Sequence, residues 1–180
     1  YDVLIFEGSQ GLLLDMDCGF YPHVTPSRVG LNGIEPQFLK GAEVYLVTRT
    51  YTTRHGNGYE PKYPLNIDLS GKHETNVNNE FQGEFKVGAL ETTLMNRATE
   101  RHRIDNYVSQ FDCSLNLVVT HMYTIVESGI FDYVQSFGKN ALVGALEPKR
   151  ILKEITSHLD VSFDHVYYND SIESNVKQML

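Results

Sequence analysis

The chain has 180 residues, of which 41% are apolar and 11% aromatic, enough to bury a core and to exclude a disordered chain. A formal charge of −8 leaves no broad basic footprint of the kind that phosphate-backbone binding demands, which argues against a nucleic-acid role. Two cysteines, Cys18 and Cys113, exclude a disulfide-rich scaffold and suit a reducing cytoplasm, with one bridge still open to them.

The opening run Val3-Leu4-Ile5-Phe6 is continuously apolar and ends in the turn Gly8-Ser9-Gln10-Gly11. It reads as a strand buried on both faces. A chain that opens in such a strand is expected to be the C-terminal part of a longer polypeptide, with residues 1–180 forming one domain. Residues 11–15 fit a short helix, and 19–33 a loop broken by Pro22, Pro26, Gly30 and Gly33. Residues 36–40 fit one helical turn. Residues 43–53, rich in β-branched and aromatic side chains, read as a second strand. The polar connection 56–85 is long enough to be functional.

Residues 90–111 are the longest helical candidate, with Ile104, Tyr107, Val108 and Phe111 on one face. Residues 115–120 form a third strand, again buried in style. The stretch 130–137 fits helix or strand equally. Pro148 suits the first turn of a helix whose apolar stripe is Ile151, Leu152, Ile155 and Leu159. Residues 163–168 read as a fourth strand, and the tail as one more helix. Alternating strands and helices argue for an α/β fold with a mostly parallel sheet and flanking helices. No apolar stretch approaches the ~20 residues of a membrane span, and the opening residues carry no secretory signal.

The turn at residues 8–11 has no residue between Gly8 and Ser9, so it is not a serine-nucleophile elbow. It sits where a parallel strand ends, the place where open α/β sheets bind ligands. The Gln10 amide can donate and accept hydrogen bonds there, as a base or sugar requires. The bland alternative is a plain tight turn. Asp15 and Asp17 share a face of an extended segment; they read as a solvated pair rather than a Mg²⁺ site. The seven histidines show no zinc spacing, so no metal site is assigned. His102, between Arg101 and Arg103, reads as part of a polar helix face. The segment Tyr51-Thr52-Thr53-Arg54-His55-Gly56-Asn57-Gly58 sets hydroxyls, an arginine and glycines at a strand end, which suits a phosphate or carboxylate. No triphosphate-cradling glycine loop and no dinucleotide fingerprint occurs.

Together these stretches resemble adenylosuccinate synthetase. The family pattern Phe-Glu-Gly-Ala-Gln-Gly-x-Leu-Leu-Asp-x-Asp-x-Gly-x-Tyr-Pro-x-Val-Thr is matched by residues 6–25, FEGSQGLLLDMDCGFYPHVT. The family's Tyr-Thr-Thr-Arg-Val-Gly-x-Gly is matched by residues 51–58, with His55 in the valine place. Weaker echoes are Asn79-Glu80-Phe81 and residues 153–164.

The resemblance implies a P-loop-NTPase-like fold, present in part, and a ligase of purine biosynthesis. In the family, GTP with Mg²⁺ phosphorylates the 6-oxygen of IMP, and the aspartate amine then displaces the phosphate. Such catalysis is positioning and charge neutralisation. By resemblance, Gln10 and Thr25 contact the purine monophosphate, Leu14 lines its pocket, and Arg54 and Lys86 belong to the substrate side. Thr120, His121, Tyr123 and Asn169 stand where the family reads its triphosphate donor. The family's catalytic Asp and His and its phosphate loop have no counterpart in these residues. The fragment alone is therefore expected to be inactive, with no catalytic or metal-binding residue of its own. A cytoplasmic homodimer is the further implication.

The departures are as informative. Against the family's arginine-rich aspartate loop stands Gln82-Gly83-Glu84-Phe85-Lys86-Val87-Gly88. Lys86 keeps a positive charge there and Glu84 reverses one. Lysine for arginine also loses the bidentate fork. The guanine-reading Thr-Lys-Leu-Asp becomes Thr120-His121-Met122-Tyr123, and Ser-Thr-Gly-Pro becomes Tyr167-Tyr168-Asn169-Asp170. Tyr123 is expected to stack on a base in place of the aspartate contact. The donor is then GTP, ATP or none, and the related purine monophosphates are alternatives to IMP. The rival reading is a non-catalytic nucleotide-binding or regulatory module derived from the family.

Overall fold

The computed structural model describes residues 3–65, 69, 76, 78–135, 138–169 and 177–179. They form two four-stranded sheets with four α-helices, a mixed α/β architecture. In the first sheet, β1 (Glu43–Arg49), β4 (Ser114–Thr120) and β7 (His165–Tyr168) run parallel, and β8 (Lys177–Gln178) closes antiparallel on β7. The second sheet has the order β2 (Tyr51–His55), β3 (Phe85–Glu91), β5 (Ile130–Gln135), β6 (Gly138–Val143). Only its β3–β5 pair is parallel. The expected mostly parallel sheet therefore describes the first sheet and not the second.

The apolar stretch expected as one strand, 43–53, divides between the two sheets at Thr50. Thr50 is fully buried, and its hydroxyl donates to the His121 carbonyl at 3.1 Å, which satisfies it away from water. The strand β4 is central. Leu115, Asn116, Leu117 and Val119 are all buried: β1 and β7 pair along its two edges, and Leu115, Leu117 and Val119 enter the two apolar clusters.

The helix expected over 90–111 starts later and breaks. Leu90 and Glu91 end β3, and the helices are α1 (Thr92–Arg101) and α2 (Ile104–Phe111). Arg103, at φ 50°, turns the chain between them. The expected face on α2 holds: Ile104 is buried, and Tyr107, Val108 and Phe111 pack beside it against Leu31, Leu39, Val44 and Leu115. The helix α3 (Met122–Ser128) precedes the ambiguous stretch, whose described part is strand β5.

The helix α4 (Pro148–Thr156) begins with its proline, and Ile151, Leu152 and Ile155 seal the main core together with Leu117, Val119 and Phe131. Leu159 packs against the same core from outside the helix.

A further expectation is corrected. Val3 to Phe6 form no strand: Val3 is 75% exposed and Ile5 87%. A strand buried on both faces needs a partner on each side, and no described strand pairs with this segment. The tail was expected to be helical. Its residues 170–176 and 180 lie outside the described set, and Lys177–Gln178 are strand β8, held by backbone pairing to Tyr167 and Tyr168.

Ile151→Ala removes a fully buried side chain from the main core and is expected to cost about 2–5 kcal/mol. Val143→Ala, at a side chain 70% exposed, is expected to change stability little. Urea denaturation of the two variants measures the contrast.

Candidate functional site

The segment 6–25 folds around one carboxylate. Leu12–Leu14 make a single 3-10 turn, and Asp15 follows it with no exposure to solvent. Asp15 Oδ1 accepts the backbone N–H of Asp17 at 2.8 Å and of Cys18 at 3.0 Å; Oδ2 accepts that of Val29 at 2.6 Å. Burial alone would raise the Asp15 pKa. The three N–H donors and nearby His102 outweigh it and hold the group below the usual aspartate value.

Leu14 and Thr25 are joined directly. The Leu14 carbonyl accepts both the Thr25 backbone N–H at 2.8 Å and its hydroxyl at 3.0 Å. Gln10 is exposed on the turn leading in, and its Oε1 accepts the Ser9 hydroxyl at 2.7 Å. Three of the expected substrate residues therefore sit on one folded loop. Gly19 is required within it, because a Cβ there would meet the Leu13 carbonyl at 2.5 Å.

Arg54 reaches this loop from β2. Its Nη2 donates to the carbonyls of Asn57 at 2.5 Å and His23 at 3.2 Å. Burial pulls its pKa below the usual arginine value, and the guanidinium stays charged. Lys86 stands directly opposite Arg54 in the β2–β3 ladder. Two cations so placed repel. Glu60 offsets this by pairing with Lys86, which in turn holds the Glu60 carboxyl below its usual range. The stretch expected to replace the arginine-rich loop runs into β3, so its Phe85 to Gly88 portion is ladder rather than loop. Nearby, the Arg97 guanidinium lies 4.7 Å from the centroid of the Phe20 ring, and Phe20 stacks on Tyr59. The Tyr59 hydroxyl donates to buried Glu91, and burial with this bond raises the Tyr59 pKa.

The four expected donor residues gather at the C-terminal ends of β4 and β7. The Thr120 hydroxyl donates to the Thr48 carbonyl at 3.1 Å. Its one proton is thereby used, so His121 Nδ1–H donates to Thr120 Oγ1 at 3.0 Å. Asn169 Oδ1 accepts the His121 backbone N–H at 3.0 Å. His121 holds φ at 61°, a left-handed conformation costly for a residue with a Cβ. Its carbonyl accepts hydroxyls from Thr50 and from Thr124. Tyr123 is only 7% exposed, so its ring offers no free face, contrary to the stacking role expected of it. The partly exposed aromatic ring of this cluster is His121, edge-on to Tyr51 at 5.5 Å.

The two carboxylates, Asp15 and Asp17, point to different partners. Asp15 is turned onto backbone N–H groups, while exposed Asp17 pairs with Arg28 at 2.9 Å. A hard cation needs several convergent oxygens, which this pair does not supply. The sequence reading missed His102. It is 3% exposed, at the end of α1, and its Nε2 bonds the Leu12 carbonyl at 2.9 Å. Its flanking arginines are exposed and mask it in the sequence.

The adenylosuccinate synthetase family model matches residues 2–113. Curated relatives agree. The adenylosuccinate synthetase of Aquifex aeolicus is 32% identical over 119 residues, 58% of this chain and 26% of the relative. That of Kluyveromyces lactis is 40% identical over 84 residues, covering 43% and 18%. That of Pseudothermotoga lettingae is 44% identical over 61 residues, covering 32% and 15%. The matched stretch is thus about a quarter or less of each of these relatives.

Asp15→Asn puts an amide donor against backbone donors and is expected to cost about 1–3 kcal/mol. Asp17→Asn, at an exposed ion pair, is expected to cost under about 1 kcal/mol. Chemical denaturation of both variants at neutral pH separates the two roles.

Proposed function

The chain belongs to the adenylosuccinate synthetase family, and we propose that it is the C-terminal part of a ligase joining a purine monophosphate, IMP or a close relative, to aspartate. Residues 1–180 are one unit of a longer chain in this reading. A nucleoside triphosphate, GTP or ATP, with Mg²⁺ supplies the phosphoryl group that activates the purine 6-oxygen. The catalytic groups and the phosphate cradle lie outside these residues, and a cytoplasmic homodimer is part of the same proposal.

One observation carries the reading: the segment with the most specific family pattern folds as one loop in which the Leu14 carbonyl accepts both the N–H and the hydroxyl of Thr25. The Gln10 amide offers a donor and an acceptor to the purine monophosphate, the Thr25 hydroxyl a second polar contact, and Leu14 an apolar wall. Arg54, fixed against the loop through the His23 carbonyl, adds positive charge at its edge. Lys86 adds a second cation from the facing strand. On the donor side, Thr120, His121 and Asn169 hold the strand ends in one hydrogen-bonded arrangement. Tyr123 braces that arrangement from within. The P-loop-like fold expected of the family is supported by the parallel β1–β4–β7 arrangement.

The rival, a non-catalytic nucleotide-binding module, draws on one feature. The stretch facing the aspartate site carries Glu84, and its Lys86 is tied to Glu60. An aspartate carboxylate gains little from a cation that is already paired.

In the full-length protein, Gln10→Ala is expected to weaken IMP binding by about 1–3 kcal/mol, read by titration calorimetry. Absence of purine-monophosphate binding by the unsubstituted protein counts against both readings. Binding without formation of the aspartate adduct, with GTP and with ATP, favours the module.

A further inference from the structure

We propose that Asp15, Cys18 and His102 form a zinc site that fastens the substrate loop to the end of α1. Among the described residues, one donor atom from each of the three lies within 4.8 Å of the others. Carboxylate oxygen, thiolate sulfur and imidazole nitrogen are a donor set that suits Zn²⁺ and does not suit Mg²⁺.

His102 is the second, independent observation. Its Nε2 meets a carbonyl, which only accepts, so Nε2 carries a proton, and in the neutral ring Nδ1 then carries the lone pair. That Nδ1 is buried and has no hydrogen-bond partner, within a residue 3% exposed. A buried acceptor left unpaired costs free energy that a metal ion would recover. Gly30 packs against the ring: a Cβ there would stand 2.3 Å from Nδ1, so no larger residue fits at that position. The bond from Nε2 to the Leu12 carbonyl orients the ring as metal-bound histidines are oriented. Asp15 is fully buried and already aimed by three backbone N–H groups, with lone pairs remaining for an ion.

Cys18 is half-buried and lines a cleft of about 480 Å³ together with Arg97, Arg101 and Arg103. Its thiol donates to the Arg101 carbonyl at 3.4 Å. On binding, the Cys18 S–H bond breaks, the proton leaves to solvent, and a Zn–S bond forms with no change of oxidation state. The three side chains close in by a short shift, and water from the cleft takes the fourth position. The site joins residues 15 and 18 to residue 102, and so holds the Leu14–Thr25 loop against the helical layer. It stands independently of the reaction proposed above.

The test uses Co²⁺ as the probe on metal-free protein. One equivalent per chain is expected to give a sulfur-to-cobalt charge-transfer band and the visible bands of a four-coordinate ion, both removed by Zn²⁺. Cys18→Ser is expected to abolish the charge-transfer band, and Cys113→Ser to leave it. His102→Gln is expected to weaken Zn²⁺ binding at least about tenfold. Zn²⁺ is expected to raise the thermal midpoint of the unsubstituted protein and not of Cys18→Ser, whose partly exposed position keeps the variant folded. Absence of the charge-transfer band, its survival in Cys18→Ser or its loss in Cys113→Ser overturns the proposal.

Discussion

The Asp15 carboxylate organises the loop that carries the most specific family pattern. A loop of this length, without sheet or helix to satisfy its backbone, must find partners for its N–H groups elsewhere. Asp15 supplies them for residues 17, 18 and 29 at once. Charge-assisted bonds of this kind are stronger than neutral ones, and burial strengthens them further. The turn at Leu12–Leu14, the return of Thr25 to the Leu14 carbonyl and the approach of His102 all depend on that anchor. An aspartate that the sequence presents as half of a solvated pair is thus the centre of the loop, and its neighbour two residues on is the solvated one.

What was legible in the sequence followed from periodicity and punctuation. The stripe Ile151, Leu152, Ile155 and the proline before it located α4, and the β-branched run at 115–120 located β4. The α2 face was legible because four apolar residues recur at helical spacing. Elsewhere the deciding interactions were tertiary. Val3 to Phe6 carry a strand-like pattern, but pattern cannot supply a partner to pair with. Leu90 and Glu91 look helical in isolation, yet they pair with Tyr133 and Val134 in β5. His102 hides between two exposed arginines, and its partners come from residues far away in the chain. The loop segment was legible through its glycines, Gln10 and Thr25, while the roles of Asp15 and Arg54 required the fold.

The two sets of proposed site residues differ in how firmly they are held. The donor-side group is locked. His121 is fixed at its backbone N–H, its carbonyl and its ring, in a conformation that a side chain makes costly. The substrate-side group is graded: Thr25 is tied twice to one carbonyl, Arg54 is tied to carbonyls, and Gln10 lies exposed with Ser9 as its neighbour.

Thr50 has a mechanical consequence. It is the one residue between β1 and β2, where the chain passes from the first sheet to the second, and its hydroxyl is pinned to the carbonyl of His121, the residue that follows β4. The two sheets are therefore hinged at a shared rivet rather than joined by a slack tether. A displacement of the His121 peptide reaches Arg54 through four covalently consecutive residues of strand, with no loop between to absorb it. Events at one strand end are geared to the position of a charge beside the other.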